Sequence, residues 1–143
     1  MRAVDTNVLI HAFSADSPLH ELAHGELAKL AEGADLWAIP WACIHEFFAV
    51  MTNPRLFRST GRAQVARTQI AEWMSSPSLR LISESRNHWR TLDRLVAEAN
   101  VVGPMVHDAR IAAICLDHGV TELLTLDRDF SRFPDLTVRG LAL

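Results

Sequence analysis

MRAVDTNVLIHAF, residues 1–13, opens the chain and sets its plan. Arg2 to Val4 reads as a short strand, Asp5-Thr6-Asn7 is a cluster of helix-capping types, and the apolar run VLIHAF follows at once. A strand therefore passes directly into a helix, with an acid at the joint.

The same alternation continues outward. After the turn signal Asp16-Ser17-Pro18, the residues Leu19, Leu22, Ala23, Leu27 and Leu30 keep helical spacing as far as Gly33. Leu36 to Ile39 reads as a second strand ended by Pro40, and WACIHEFFAVM runs helically to the break at Thr52-Asn53-Pro54. A helix is predicted over Arg62–Met74, a third strand over Leu79–Ile82 beyond Ser76-Pro77, and then a helix ending near Asn100 with Trp89, Leu92, Leu95 and Val96 on its apolar face. The loop Val101–Pro104 leads to a helix over His107–Leu116 stopped at Gly119, a fourth strand over Glu122–Leu126 and a fifth over Leu136–Arg139. Strands alternating with helices imply an α/β fold in three layers, α/β/α, around a mostly parallel sheet of four or five strands. Residues 1–143 read as one domain. Sheets of this kind place their sites at the carboxyl ends of the strands, where Asp5 and Asp127 both fall.

Composition narrows the possibilities. Of the 143 residues 49% are hydrophobic, yet no run approaches the ~20 apolar residues of a membrane span, and no secretory signal is evident at the start. The expected location is the cytoplasm. The net charge of −3 gives no global attraction to a polyanion, so any nucleic-acid contact must be local. Arginine supplies nearly all the basic charge, with Lys29 the single lysine, and Arg55, Arg58 and Arg62 are the candidates for phosphate contacts. Cys43 and Cys115 lie in apolar helical patterns and read as small buried hydrophobes, because a zinc site on either would need a CxxC or HxxxH partner beside it.

The informative residues are acids in apolar surroundings. WACIHEFFAVM is apolar nearly all round, as a buried helix would be, so Glu46 needs a partner there unless it reaches solvent at a helix edge or pairs with an arginine. Asp5 ends an apolar strand, Asp108 opens HDARIAAICL, and Asp127 and Asp129 flank Arg128 directly after the strand ELLTL. Each has a local explanation, as a cap, a helix-dipole partner or a turn former. Those explanations must hold at separate elements that an alternating fold brings to one end of the sheet. Convergence accounts for all of them together. Crowded carboxylates raise one another's proton affinity and become stable at neutral pH around a divalent cation, and all-oxygen donors favour magnesium or manganese.

With VDTNVLI, a lone Glu in the helix after the second strand, DARIAA and TLDRDF in this order, the chain resembles a PIN domain over essentially its whole length, and is most similar to the VapC toxins of toxin–antitoxin pairs. The resemblance implies that Asp5, Glu46, Asp108 and Asp127 are the catalytic acids and metal ligands, with Asp5 and Asp108 bound directly to Mg2+ or Mn2+. It makes Asn7 and Thr125 the residues that orient them, and Asp129 an auxiliary ligand or loop stabiliser. Leu126 departs from the pattern, since many relatives carry a polar residue there. The implied activity is magnesium-dependent endoribonuclease action on structured RNA, tRNA or rRNA, by metal-activated water. A VapB-like antitoxin that blocks the site and homodimerisation through apolar helix faces are also implied. The alternatives are a PIN-like module that binds RNA or a partner without cutting it, and an RNA-processing nuclease that is not a toxin. An aspartyl phosphatase would need a second Asp where Asn7 stands, and a receiver domain would need a lysine far later than Lys29.

Overall fold

A computed structural model describes residues 1–58 and 60–141. Five strands and six helices follow one another as β1 (Arg2–Val4), α1 (Thr6–Phe13), α2 (His20–Glu32), β2 (Trp37–Pro40), α3 (Trp41–Met51), α4 (Arg62–Met74), β3 (Leu79–Ile82), α5 (His88–Ala99), α6 (Val106–Asp117), β4 (Glu122–Leu124) and β5 (Thr137–Arg139). Two short 3-10 turns, Gly103–Met105 and Arg128–Arg132, precede α6 and β5. The sheet order is β3-β2-β1-β4-β5 and every neighbouring pair is parallel. Central strands are apolar on both faces, as a sheet covered by helices on each side requires. Ala3, Val4, Trp37, Ala38, Ile39, Leu123 and Leu124 are all within 1% of full burial. The result is a three-layer α/β/α domain. Among the described residues no helix is long and apolar enough to cross a membrane.

Packing follows from the apolar stripes. Phe47 of α3 meets Phe13 of α1 edge-on at 5.4 Å and Trp73 of α4 at 4.8 Å, which locks three helices around one ring. Such aromatic pairs add about 0.5–1.5 kcal/mol each beyond their area burial. On the other side α5 ends at Asn100 in the left-handed region (φ 52°), and α6 is followed by Gly119 at φ 70°. Both are positions where a short polar side chain or glycine releases the helix at little cost.

Four sequence expectations need correction. The second strand begins at Trp37, since Leu36 is 47% exposed, and Pro40 is its last residue, paired with Ile82. The fourth strand stops at Leu124: Thr125 N still bonds Arg139 O, but Leu126 N and Asp127 N turn to the Asn7 and Thr125 side chains of the site. Trp89 leaves the apolar face and stands 71% exposed. At the start of α5 the seam with α6 is polar, Ser85 and Thr91 each giving a 2.6 Å hydrogen bond to Asp117, so nothing apolar covers the tryptophan. Finally α3 is only half enclosed: Cys43, Ile44, Phe47 and Met51 face the core while Trp41, His45 and Glu46 face outward.

The connection pattern positions the site. From β1 the chain builds β2 and β3 on one side, then crosses back to lay β4 against the other side of β1. The reversal opens a crevice at the carboxyl ends of β1 and β4, the place where open α/β sheets bind ligands.

Candidate active site

Asp5 is the first residue beyond β1. Its backbone N–H still bonds Leu124 O at 3.0 Å, while its side chain caps α1 by accepting from Thr6 N at 2.8 Å. The carboxylate is 7% exposed and both oxygens are occupied. Oδ1 also receives the Cys43 thiol at 3.6 Å, and Oδ2 receives Thr125 Oγ1 at 2.7 Å and Asn7 Nδ2 at 3.3 Å. Burial raises its pKa, the hydrogen bonds from Thr125 and Thr6 oppose the rise, and the Glu46 charge adds to it.

Thr125 and Asn7 join the two strand ends. Thr125 Oγ1 donates to Asp5 and accepts from Asp127 N at 3.0 Å and from Asn7 Nδ2 at 3.2 Å. Asn7 Oδ1 accepts from Leu126 N at 3.1 Å. What the network takes from residue 126 is its backbone N–H, which explains why an apolar side chain leaves the acids in place; that side chain packs on the core instead.

Asp127 accepts from Asp129 N at 2.8 Å and so caps the 3-10 turn, and Asp108 lies in the first turn of α6. One oxygen from each of Asp108, Asp127 and Asp129 lies within 4.8 Å of the others, the only group of three potential metal-ligating side chains among the described residues. Asp108 is pushed up to about 6, first by burial and then by the charges of Asp127, Asp5, Asp129 and Glu46. Glu46 reaches the same place from α3. It is exposed rather than buried, and its partner is the Thr6 hydroxyl at 3.1 Å. Asp5, Glu46, Asp108 and Asp127 line one cleft of about 390 Å³, with Asp129 beside it in the carboxylate trio.

Residues read from sequence as phosphate contacts lie elsewhere. Arg58 and Arg62 line a separate cleft with Phe57, and Arg62 is committed to structure: its Nε donates to Met51 O at 2.7 Å and its guanidinium lies 3.6 Å above the Phe57 ring. Arg55 is exposed in the turn after α3, outside the acidic cleft. The arginine in the wall of the acidic cleft is Arg110, two residues after Asp108, whose Nε bonds Glu84. His107 lines the cleft too. Both stand in the stretch HDARIAA, which was read for its acid alone; a base so close to a site acid was the available signal. Cys43 and Cys115 are buried free thiols, Cys115 raised to about 12 by burial and Cys43 raised well above the ordinary thiol value by burial and Asp5, so neither supplies a thiolate.

The PIN domain family profile matches residues 2–136. Ribonuclease VapC37 of Mycobacterium tuberculosis is 30% identical over 133 residues, covering 93% of this chain and 92% of the relative. Ribonuclease VapC48 of the same species is 28% identical over 135 residues, 94% and 93% of the two chains. Among solved structures, that of VapBC2 from Rickettsia felis bound to a DNA fragment from its promoter superposes with TM-score 0.73 at 18% identity, covering 99% of this chain and 98% of that one, and shows a shared fold. The structure of VapC20 from Mycobacterium tuberculosis, a sarcin–ricin loop cleaving toxin, gives 0.65 at 17% identity over 92% and 93% of the chains. Profile and sequence relatives agree across nearly the full length, and on that ground the chain belongs to the PIN-domain family, among the VapC ribonucleases.

Proposed function

We propose that this protein is a magnesium-dependent endoribonuclease acting as the toxin of a VapBC-like pair. The observation that carries the reading is the carboxylate trio of Asp108, Asp127 and Asp129, with oxygens within 4.8 Å and the Asp108 pKa raised to about 6 by burial and by the neighbouring acids. Like charges this close are tolerated at neutral pH when a doubly positive ion shares them, and an all-oxygen set suits Mg2+ or Mn2+. Asp108, Asp127 and Asp129 would hold the ion, with Asp5 and Glu46 on the facing walls. When bound, it lowers the pKa of a water molecule and offsets charge that develops on the phosphoryl oxygens.

The remaining roles belong to the chain. Thr125 and Asn7 fix Asp5 so that its buried charge keeps one orientation. Glu46, exposed and steadied by Thr6, is the carboxylate free to take a proton from the attacking water. Arg110, held by Glu84 at the cleft wall, is the guanidinium suited to a backbone phosphate. Structured RNA, a tRNA or rRNA loop whose bases can splay out, is the proposed substrate. The named activity of VapC20 on the sarcin–ricin loop supports that class. A VapB-like antitoxin is the proposed partner, supported by structural neighbours solved as VapBC assemblies, and a homodimer is the proposed form.

Attack by external water leaves a 5′-phosphate and a 3′-hydroxyl. The test maps 5′ ends of RNA treated with purified protein, with Mg2+ and with EDTA, beside Asp108→Asn. Mg2+-dependent 5′-phosphate ends that vanish in the variant are expected. Ends bearing 2′,3′-cyclic phosphate, or cleavage unchanged in EDTA, would overturn the reading, and RNA binding without cleavage would favour a non-cutting module.

A further inference from the structure

The start of α2 reads His20-Glu21-Leu22-Ala23-His24. Residues four apart on a helix stand one above the other on the same face, and here the two imidazole ring centres are 5.6 Å apart with planes tilted by 38°. Two imidazoles on one ion, with metal–nitrogen bonds of about 2.0–2.1 Å, have ring centres about 5 Å apart. Small side-chain rotations close the difference.

The second observation concerns which nitrogen is free. His20 Nδ1 lies 3.2 Å from the carbonyl oxygen of His11. A carbonyl oxygen only accepts, so the proton sits on Nδ1 and the lone pair on Nε2. Metal-bound histidines use this same division, one ring nitrogen donating to a backbone carbonyl and the other ligating. The support beneath His20 is itself ordered. His11 Nδ1 is 2.6 Å from Ser17 Oγ, and that hydroxyl accepts from Leu19 N at 3.1 Å. His24 is exposed and open to an ion from solvent.

We propose that His20 and His24 form a two-imidazole clamp for a borderline divalent cation, Zn2+, Ni2+ or Cu2+, separate from the carboxylate cleft. Imidazole donors prefer these ions, whereas the carboxylate trio prefers Mg2+ or Mn2+, so the two sites sort metals by donor chemistry. The HExxH order is the one in which zinc hydrolases carry two ligands and a base. Glu21 is exposed, however, and among the described residues no third ligating side chain closes on the pair. The site binds and does not hydrolyse, with water completing the coordination sphere. Both ligands lie on α2, and the link to α1 is the hydrogen bond from His20 Nδ1 to His11 O.

Untagged protein titrated with Zn2+ against a chromogenic chelator, in excess Mg2+ to occupy the carboxylates, tests the clamp. One equivalent of Zn2+ is expected in the native protein and in Asp108→Asn. In His24→Gln the Zn2+ affinity falls by at least ~10-fold, the range in which loss of even an outer partner weakens a metal site. Circular dichroism and RNA cleavage of His24→Gln stay as in the native protein. Substoichiometric Zn2+ should also move the ring resonances of His20 and His24 before those of the other histidines. Equal Zn2+ affinity in native protein and His24→Gln, or resonance shifts centred on other histidines, would overturn the proposal.

Discussion

Replacing Asp108 by Asn should make the metal-free protein more stable while removing its cleavage activity. The carboxyl stands at about 6 in the fold against an ordinary 3.8. Between those values the folded state binds more protons than the unfolded chain, so stability falls as pH rises through the window and is lowest once the group is fully ionised. The difference amounts to about 3 kcal/mol at 1.36 kcal/mol per pKa unit. Asp108 is only partly enclosed and its neighbours are screened, which reduces the expected gain on removing its charge to about 1–2 kcal/mol. For a chain of this size that is about 3–8 °C in melting temperature. Thermal unfolding in EDTA at low salt, from pH 5 to pH 7.5, reads it directly: the native protein loses stability with rising pH and the variant loses less. Saturating Mg2+ should then stabilise the native protein more than the variant, and cleavage by the variant should fall at least ~100-fold. A variant that melts below the native protein in EDTA, or one that cuts RNA at the native rate, refutes the reasoning.

Other substitutions separate the parts of the site. Thr125→Val leaves Asp5 Oδ2 and Asp127 N each short of a partner at a position 2% exposed. It should lower the unfolding free energy by about 1–3 kcal/mol in urea and depress cleavage, whereas Thr125→Ser preserves both. Arg110→Ala should weaken RNA binding and make its dependence on salt shallower by about 0.7–0.9 in log–log slope, the signature of one lost phosphate contact; an unchanged slope rules that contact out. Arg62→Ala removes the bond to Met51 O and the stack on Phe57, so a stability loss of about 1–2 kcal/mol is expected with cleavage per folded molecule intact.

Strand and helix identities were legible because β1, β2, β3 and β4 are short apolar runs broken by capping residues, and their order implied a parallel sheet. The acids were legible as a group because apolar sequence surrounds them. Periodicity reports which residues of a helix share a face, and it is silent on what the rest of the chain lays against that face. For this reason the pattern puts Trp89 inward and makes α3 look buried nearly all round: α5 meets α6 through hydroxyls on Asp117, and α3 leaves one side open to the cleft. The arginines failed for a related reason. A run of like residues is conspicuous in sequence, but Arg62 is consumed by a carbonyl and a ring, while the solitary Arg110 reaches the cleft through the fold.

The local explanations of the acids hold in the structure, and they do not keep the same residues from lining one cleft. Asp5 caps α1, Asp127 caps the turn that follows β4, and Asp108 occupies the first turn of α6. Backbone N–H groups at helix starts carry partial positive charge, and those of Thr6 and Asp129 donate to the Asp5 and Asp127 carboxylates. The cleft is therefore lined by negative side chains whose repulsion the chain partly offsets with its own amides, independently of any bound ion. Asp5 has the most such help, from Thr6 N and the Thr125 hydroxyl, and these bonds oppose the rise that burial imposes on it. Asp108 has no such hydrogen bond among the causes of its shift and faces the charges of Asp127, Asp5, Asp129 and Glu46, so the uncompensated part of the repulsion collects on it. On the proposed reading, a cation would meet a cleft already shaped by helix starts, and the residue to gain most from its arrival would be Asp108, the one the backbone serves least.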